Sequence, residues 1–166
     1  MITISQANTD ADIADVRDLL REYTGWAFTL MVAREVPPTF DGLEEELAGL
    51  PGVFVPPAGR LLLARVDGQP AGSIALRPVD ATTGELKRLY VRPSFRGLGL
   101  GQQLVAAIVQ AGRQAGYQRL ILDSHATMSH AHALYRAAGF QLVDAPPDFP
   151  EAIKPEVVFM ELSFNG

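Results

Sequence analysis

Three glycines at alternate positions, Gly97, Gly99 and Gly101, stand between a β-rich run ending at Val91 and an apolar helical repeat through Leu104, Val105, Ile108 and Val109. Strand, glycine turn and helix in direct succession leave the chain few ways to fold. Glycine lets the backbone take positive φ and approach a ligand closely. The helix behind the turn begins with unpaired N–H groups carrying partial positive charge, and such an end holds phosphate. Arg96 adds a full charge beside it, and Arg88 and Arg92 lie close in sequence. Taken alone, the turn is ambiguous. A P-loop needs Gly-Lys followed by Ser or Thr, which is missing. A Rossmann fingerprint needs Gly-x-Gly-x-x-Gly. Gly97 and Gly99 fit it, but the third place falls on Gln102, although Asp123 stands where a ribose-binding acid would. A tight turn without any ligand is the plain alternative.

Periodicity sets the surroundings of the turn. Ile2–Ile4 alternates as a first strand. Thr9 and Asp12 have capping-box spacing, and Ile13, Val16, Leu20 and Tyr23 predict a helix ending at Gly25. Asp41 opens a second helix through Leu47, stopped by Gly49 and Pro51. Asp67-Gly68 between the runs Leu61–Ala64 and Ala71–Leu76 predicts a hairpin. Glu85–Val91 is the strand that feeds the turn. Leu120–Leu122 is a short buried strand, and Ser129 caps a helix carrying Leu134 and Tyr135, with Gly139 past its end. Phe140–Val143 and Val157–Phe164 are two last strands around the Pro-rich segment Ala145–Pro155. The order β-α-α-β-β-β-α-β-α-β-β predicts an α/β (α+β) chain, a mixed sheet with helices on both faces. Its 166 residues suit one domain, 1–166.

Composition removes several functions. A net charge of −5 lacks the broad basic surface that nucleic acid or an anionic membrane would need. With no cysteine there is no disulfide, thiolate metal site or cysteine nucleophile. The N-terminus reads as no signal peptide, and no apolar run approaches a membrane span of roughly 20 residues. A cytoplasmic protein is expected.

The wider pattern resolves the turn. Arg96-Gly97-Leu98-Gly99-Leu100-Gly101, after Leu86-Lys87-Arg88-Leu89-Tyr90-Val91 and before an amphipathic helix, resembles the acyl-CoA-binding motif of the GNAT acetyltransferase superfamily. Ala133-Leu134-Tyr135-Arg136-Ala137-Ala138-Gly139-Phe140 resembles that family's second signature, at the expected separation. The resemblance covers the chain from about Arg60 onward and, more weakly, the helical N-terminal part. It implies the GNAT fold: a mixed central sheet of about seven strands, splayed between the fourth and fifth. It implies acetyl-CoA as cosubstrate, no metal, and direct transfer to a primary amine of a small molecule or peptide in a ternary complex. An acyl-CoA sensor without turnover is the alternative. Members often form homodimers, which these residues neither require nor exclude.

The resemblance also assigns roles. The pantetheine arm would pair with the backbone of Leu89 and Val91. The pyrophosphate would take N–H groups from Arg96, Gly97, Leu98, Gly99, Leu100, Gly101 and Gln102. Tyr135 occupies the place of the general acid, and the N–H of Leu89 would serve the oxyanion. An alkylamine has a pKa of roughly 10, so its neutral form costs about 4–5 kcal/mol at pH 7 and a proton acceptor helps. Glu85 is the candidate. Seven positions before Tyr135, where many members carry a cofactor-contacting asparagine, stands Met128; Ser129 beside it is the candidate substitute.

Other residues carry weaker signals. His125, His130 and His132 suggest a metal, but residues two apart on a helix face different ways. Trp26, Phe28 and Met31 would line an acceptor pocket or be core. Glu44–Glu46 reads as a solvated helix face. Phe149 is either a lid or part of a surface loop.

Overall fold

The computed structural model describes residues 1–33 and 43–164. β1 (Ile2–Gln6) leads into the capping box, where Thr9 Oγ1 accepts from Asp12 N–H at 3.1 Å. The helix it starts, α1 (Asp10–Ala33), runs through Gly25 instead of ending there. One glycine costs a helix only about 1 kcal/mol, and burial beyond it outweighs that: Ala27 is fully buried and packs with Met128. α2 (Leu43–Ala48) follows; its expected cap, Asp41, lies outside the described residues.

β2 (Arg60–Val66) and β3 (Gln69–Pro78) form the expected hairpin. Asp67 and Gly68 both take positive φ, 50° and 84°, as its two-residue turn demands. β4 (Thr83–Val91), α3 (Leu100–Gln114), β5 (Arg119–His125), α4 (Ser129–Ala137), β6 (Gln141–Val143) and β7 (Val157–Ser163) complete the order. The strands make one seven-stranded sheet, β1-β2-β3-β4-β5-β7-β6. Every neighbouring pair is antiparallel except β4–β5. Helices cover both faces, as predicted. Val16, Leu19 and Leu20 of α1 and Leu47 of α2 pack on one side against Leu61, Leu63 and Ala75. Leu104 and Ile108 of α3 and Tyr135 of α4 pack on the other against Ile74, Leu76 and Leu120. No described helix is long and apolar enough to cross a membrane.

Two features of β4 position the site. Its parallel pairing with β5 lasts three rungs, Thr83↔Arg119, Gly84↔Leu120 and Glu85↔Ile121, after which the two strands no longer pair with each other. This is the expected splay between the fourth and fifth strands. The second feature is a bulge. Ser73 and Ala75 of β3 are two apart, whereas their partners Tyr90 and Lys87 are three apart. Arg88 takes up the extra residue at φ 64°, a left-handed conformation costing a side-chain-bearing residue roughly 1–2 kcal/mol. Because partners across a ladder share a face, Lys87 and Tyr90 both lie on the α1 side with Ala75.

Candidate active site

The splay opens a cavity of about 560 Å³. β4 from Leu86 to Val91 forms one wall, and Asp123, Ser124 and the start of α4 form another. Leu134 and Tyr135 also line it, as do the glycine turn and, from α1, Tyr23 and Trp26.

The three glycines of the turn do different things. Gly97 (φ 85°) and Gly99 (φ 79°) are left-handed, and a β-carbon at either would meet nothing within 4 Å. They shape the turn and keep it open. Gly101 has ordinary helical geometry, but a β-carbon there would lie 2.7 Å from Leu134 Cδ1, so its bareness lets α3 pack on α4. Gln103 N–H makes the first helical bond, to Gly99 O at 3.1 Å. Among the described residues no backbone carbonyl accepts from the N–H groups of Gly97 to Gln102. A run of free donors at a helix start, on a cavity wall, fits a diphosphate. Arg96 stands beside it, but its own N–H, expected among the donors, is taken by Pro93 O at 3.3 Å, which closes the preceding turn. Its Nε donates to Val91 O at 3.1 Å and its guanidinium lies 5.4 Å from the Trp26 ring centroid. The other two arginines are engaged elsewhere: Arg92 Nη2 donates to Glu22 Oε1 at 2.8 Å, and Arg88 Nη2 pairs with Glu46 Oε2 at 3.2 Å. Glu46 is therefore half-buried against the bulge and not part of a solvated face.

Beyond Glu85, the β5-facing edge of β4 has no strand partner. Backbone groups around Leu89 and Val91 are thus offered to an extended, amide-bearing chain, which would pair as an added strand. Ser129 lines the cavity as the first residue of α4, but its hydroxyl does not cap the helix; Met128 holds that place, with no side-chain cap. Met128 is buried and joins α4 to α1 through Ala27, which is apolar work an asparagine would not do.

Tyr135 is buried, its ring centroid 5.8 Å from that of Phe140. Burial, with the neighbouring Tyr23, raises its phenol well above the ordinary value, so the O–H stays protonated. Glu85 lies on the last paired rung, held by Arg77 Nε at 2.6 Å, and is not on the cavity wall. Asp123 is on the wall, two residues past Ile121 and so on the same face of β5. Solvent reaches it through the cavity, yet burial first and the charge of Glu85 second raise its carboxyl above the usual carboxylate range. The sequence weighed Asp123 only as a ribose ligand. The usable signal was its place at the C-terminal end of a parallel strand, where open α/β sheets bind ligands.

Of the lesser candidates, Trp26 lines the cavity, Phe28 is exposed and away from it, and the side chain of Met31 lies outside the described residues. Phe149 packs edge-on against Phe159, centroids 4.9 Å apart, tying the Pro-rich segment to β7. His132 is buried, with burial lowering its pKa, and His125 Nδ1 accepts from Thr127 N–H at 3.2 Å. Among the described residues no three His, Asp or Glu side chains gather to hold a metal.

Residues 14–140 match the sequence profile of the acetyltransferase (GNAT) family. The chain belongs to that family. This GNAT chain is 34% identical over 166 residues to an uncharacterised N-acetyltransferase of Schizosaccharomyces pombe, covering 99% of itself and 96% of the relative. An acetyltransferase of Streptococcus agalactiae superposes with a TM-score of 0.75 at 19% identity, over 98% of each chain. A GNAT acetyltransferase of Elizabethkingia anophelis with acetyl-CoA bound superposes at 0.68 and 21%, again over 98% of each. Acetyl-CoA-dependent N-acetyl transfer is the activity that membership carries. The Rossmann alternative falls with the topology of this GNAT enzyme, since among the described strands β4–β5 is the one parallel pair in an otherwise antiparallel sheet.

Proposed function

We propose that this GNAT enzyme transfers an acetyl group from acetyl-CoA directly to the primary amine of a small molecule or peptide, with both substrates held together in the splay. The observation that supports this most is the presence of Tyr135, Asp123 and the glycine turn on the wall of one cavity. The N–H groups from Gly97 to Gln102 hold the diphosphate, with Arg96 beside them. Leu89 and Val91 pair with the pantetheine arm, and the Ser129 hydroxyl flanks it. The amine gives up a proton and its lone pair forms the N–C bond to the thioester carbon. The C–S bond breaks, the sulfur takes the proton of Tyr135, and the second proton shed by the acylated nitrogen returns to the Tyr135 oxygen, restoring the phenol. The Leu89 N–H stabilises charge on the carbonyl oxygen. In the absence of disulfide chemistry and of a spanning helix among the described residues, we place the enzyme in the cytoplasm. Release of free CoA with an amine panel tests the reading; acetyl-CoA binding without release would make the protein a sensor.

Two carboxylates compete for the amine proton. Glu85 is tied to Arg77, whereas Asp123 faces the cavity. In this reading Asp123 accepts the proton and Glu85, one rung behind, raises its basicity by charge. Asp123→Asn is expected to lower kcat/KM on the order of 100-fold and to abolish the acid limb of the pH profile. In wild type that limb lies above the ordinary carboxylate pKa of about 3.9, because the folded value is raised. Glu85→Gln should move the limb toward lower pH at a cost of only a few-fold. The reverse ranking would return the base role to Glu85. The sign of linkage gives a second readout. A raised carboxyl contributes stability below the unfolded pKa and loses it as pH rises through the folded value. Asp123→Asn should therefore raise Tm at neutral pH while lowering activity.

A further inference from the structure

β4 and β5 carry opposite charges across the gap they open. Glu85↔Ile121 is the last rung, and the next residue on the same face of β5 is Asp123. On β4 it is Lys87, paired with Ala75 on the α1 side. Both line the cavity. Among the described residues neither makes an ion pair or a hydrogen bond, although their neighbours do: Glu85 is held by Arg77, Glu46 by Arg88 and Glu22 by Arg92. Arg88, also on the wall, has its Nε buried without an acceptor.

We infer that the acceptor amine is an α-amino acid, its ammonium held by Asp123 and its carboxylate by Lys87. This rests on the acetyl-transfer reading and names its substrate class. Lys87 is partly buried and Asp123 opens to the cavity, so one zwitterion would give each an opposite charge at once. Burial first, and then the charges of Arg77 and Arg88, push the Lys87 ammonium down, while burial pushes the Asp123 carboxyl up. In each group burial outweighs the opposite charges nearby, Glu85 and Glu46 for Lys87, and Lys87, Arg77 and Arg88 for Asp123. The side chain would meet aromatic rings. Tyr23 lies 6.3 Å from Trp26 and 5.9 Å from Tyr90, centroid to centroid, and Tyr23 feels the charges of both Arg88 and Asp123. An apolar amino acid such as leucine or phenylalanine suits that wall.

The test compares L-leucine and L-phenylalanine with their amides and with the carboxylate-free amines isopentylamine and phenethylamine. Two assays are run: CoA release, and the shift in Tm that each compound causes with CoA present. Each amino acid is expected to exceed its amide and its amine by about 10- to 100-fold in kcat/KM and to give the larger shift. In Lys87→Met that preference should fall toward unity through KM, and Lys87→Arg should restore most of it. Equal rates and equal shifts for the three compounds would overturn the inference and leave acetyl transfer standing. No CoA release from any amine, with the preference still present in the Tm shifts, would sustain the zwitterion site and overturn the transfer reading. A preference unaltered in Lys87→Met would also overturn the assignment.

Discussion

Replacing Gly99 with valine is expected to abolish acetyl-CoA binding while the protein still folds. At φ 79° the β-branched side chain costs roughly 1–3 kcal/mol, a fraction of the roughly 5–15 kcal/mol by which ordinary domains are stable. Its β-carbon meets nothing within 4 Å, so the core is untouched. The loss falls on the ligand. Relaxing the strain swings the turn out of its left-handed shape and rotates the first N–H groups of α3 away from their common point. The valine methyls then stand where a diphosphate would. With acetyl-CoA at 100 times its Kd, wild type gains roughly 2.7 kcal/mol, about 5–10 °C in Tm for a chain of this size. That shift should vanish in Gly99→Val. Gly101→Ala is the contrast. Its backbone is ordinary and its clash is with the tip of Leu134, so it should cost about 1–3 kcal/mol of stability by overpacking and keep the ligand-induced shift. If Gly101→Ala lost the shift and Gly99→Val kept it, the diphosphate would not sit on this turn.

The contrast between these two glycines shows what a sequence can and cannot say. All three glycines were visible as one motif, because a strand, a turn and a helix signal their backbone needs locally. The Asp67-Gly68 hairpin and the Gly139 stop were visible for the same reason. That Gly101 serves Leu134 was not, since the partner is more than thirty residues away and belongs to a different helix. The same limit explains α1. Gly25 is a local stop signal, overridden by the burial of Ala27 against Met128. In the site, Tyr135 and the turn were legible because their neighbours repeat a family pattern. Asp123 was not, because its place depends on where β4 and β5 cease to pair. Nor was the bulge at Arg88, which brings Lys87 and Tyr90 onto one face and joins Glu46 to the cavity wall. Local chemistry thus marked the glycine turn and Tyr135, while the cavity wall opposite them was assembled from long-range register.

Tyr135→Phe carries the other large expectation: kcat falls by roughly 100- to 1000-fold, with acetyl-CoA affinity changed by no more than about twofold. The substitution removes one oxygen and leaves the ring, which is buried and packed against Phe140, so the fold and the cavity keep their shape. On the proposed mechanism, what is lost is a proton donor. The departing thiolate belongs to a thiol of pKa about 8.5, a leaving group that gains from protonation as the C–S bond breaks. Because burial holds the Tyr135 phenol well above its ordinary value, it remains a neutral donor across the working pH range. Its titration therefore adds no alkaline limb below pH 10, near the ordinary phenol pKa of about 10. The two functional groups thus separate in the pH profile. Removing Asp123 abolishes the acid limb, whereas removing the Tyr135 hydroxyl lowers the plateau and leaves that limb in place. A plateau unchanged in Tyr135→Phe would mean that the sulfur leaves as the free thiolate, and the acid role would pass from Tyr135 to solvent.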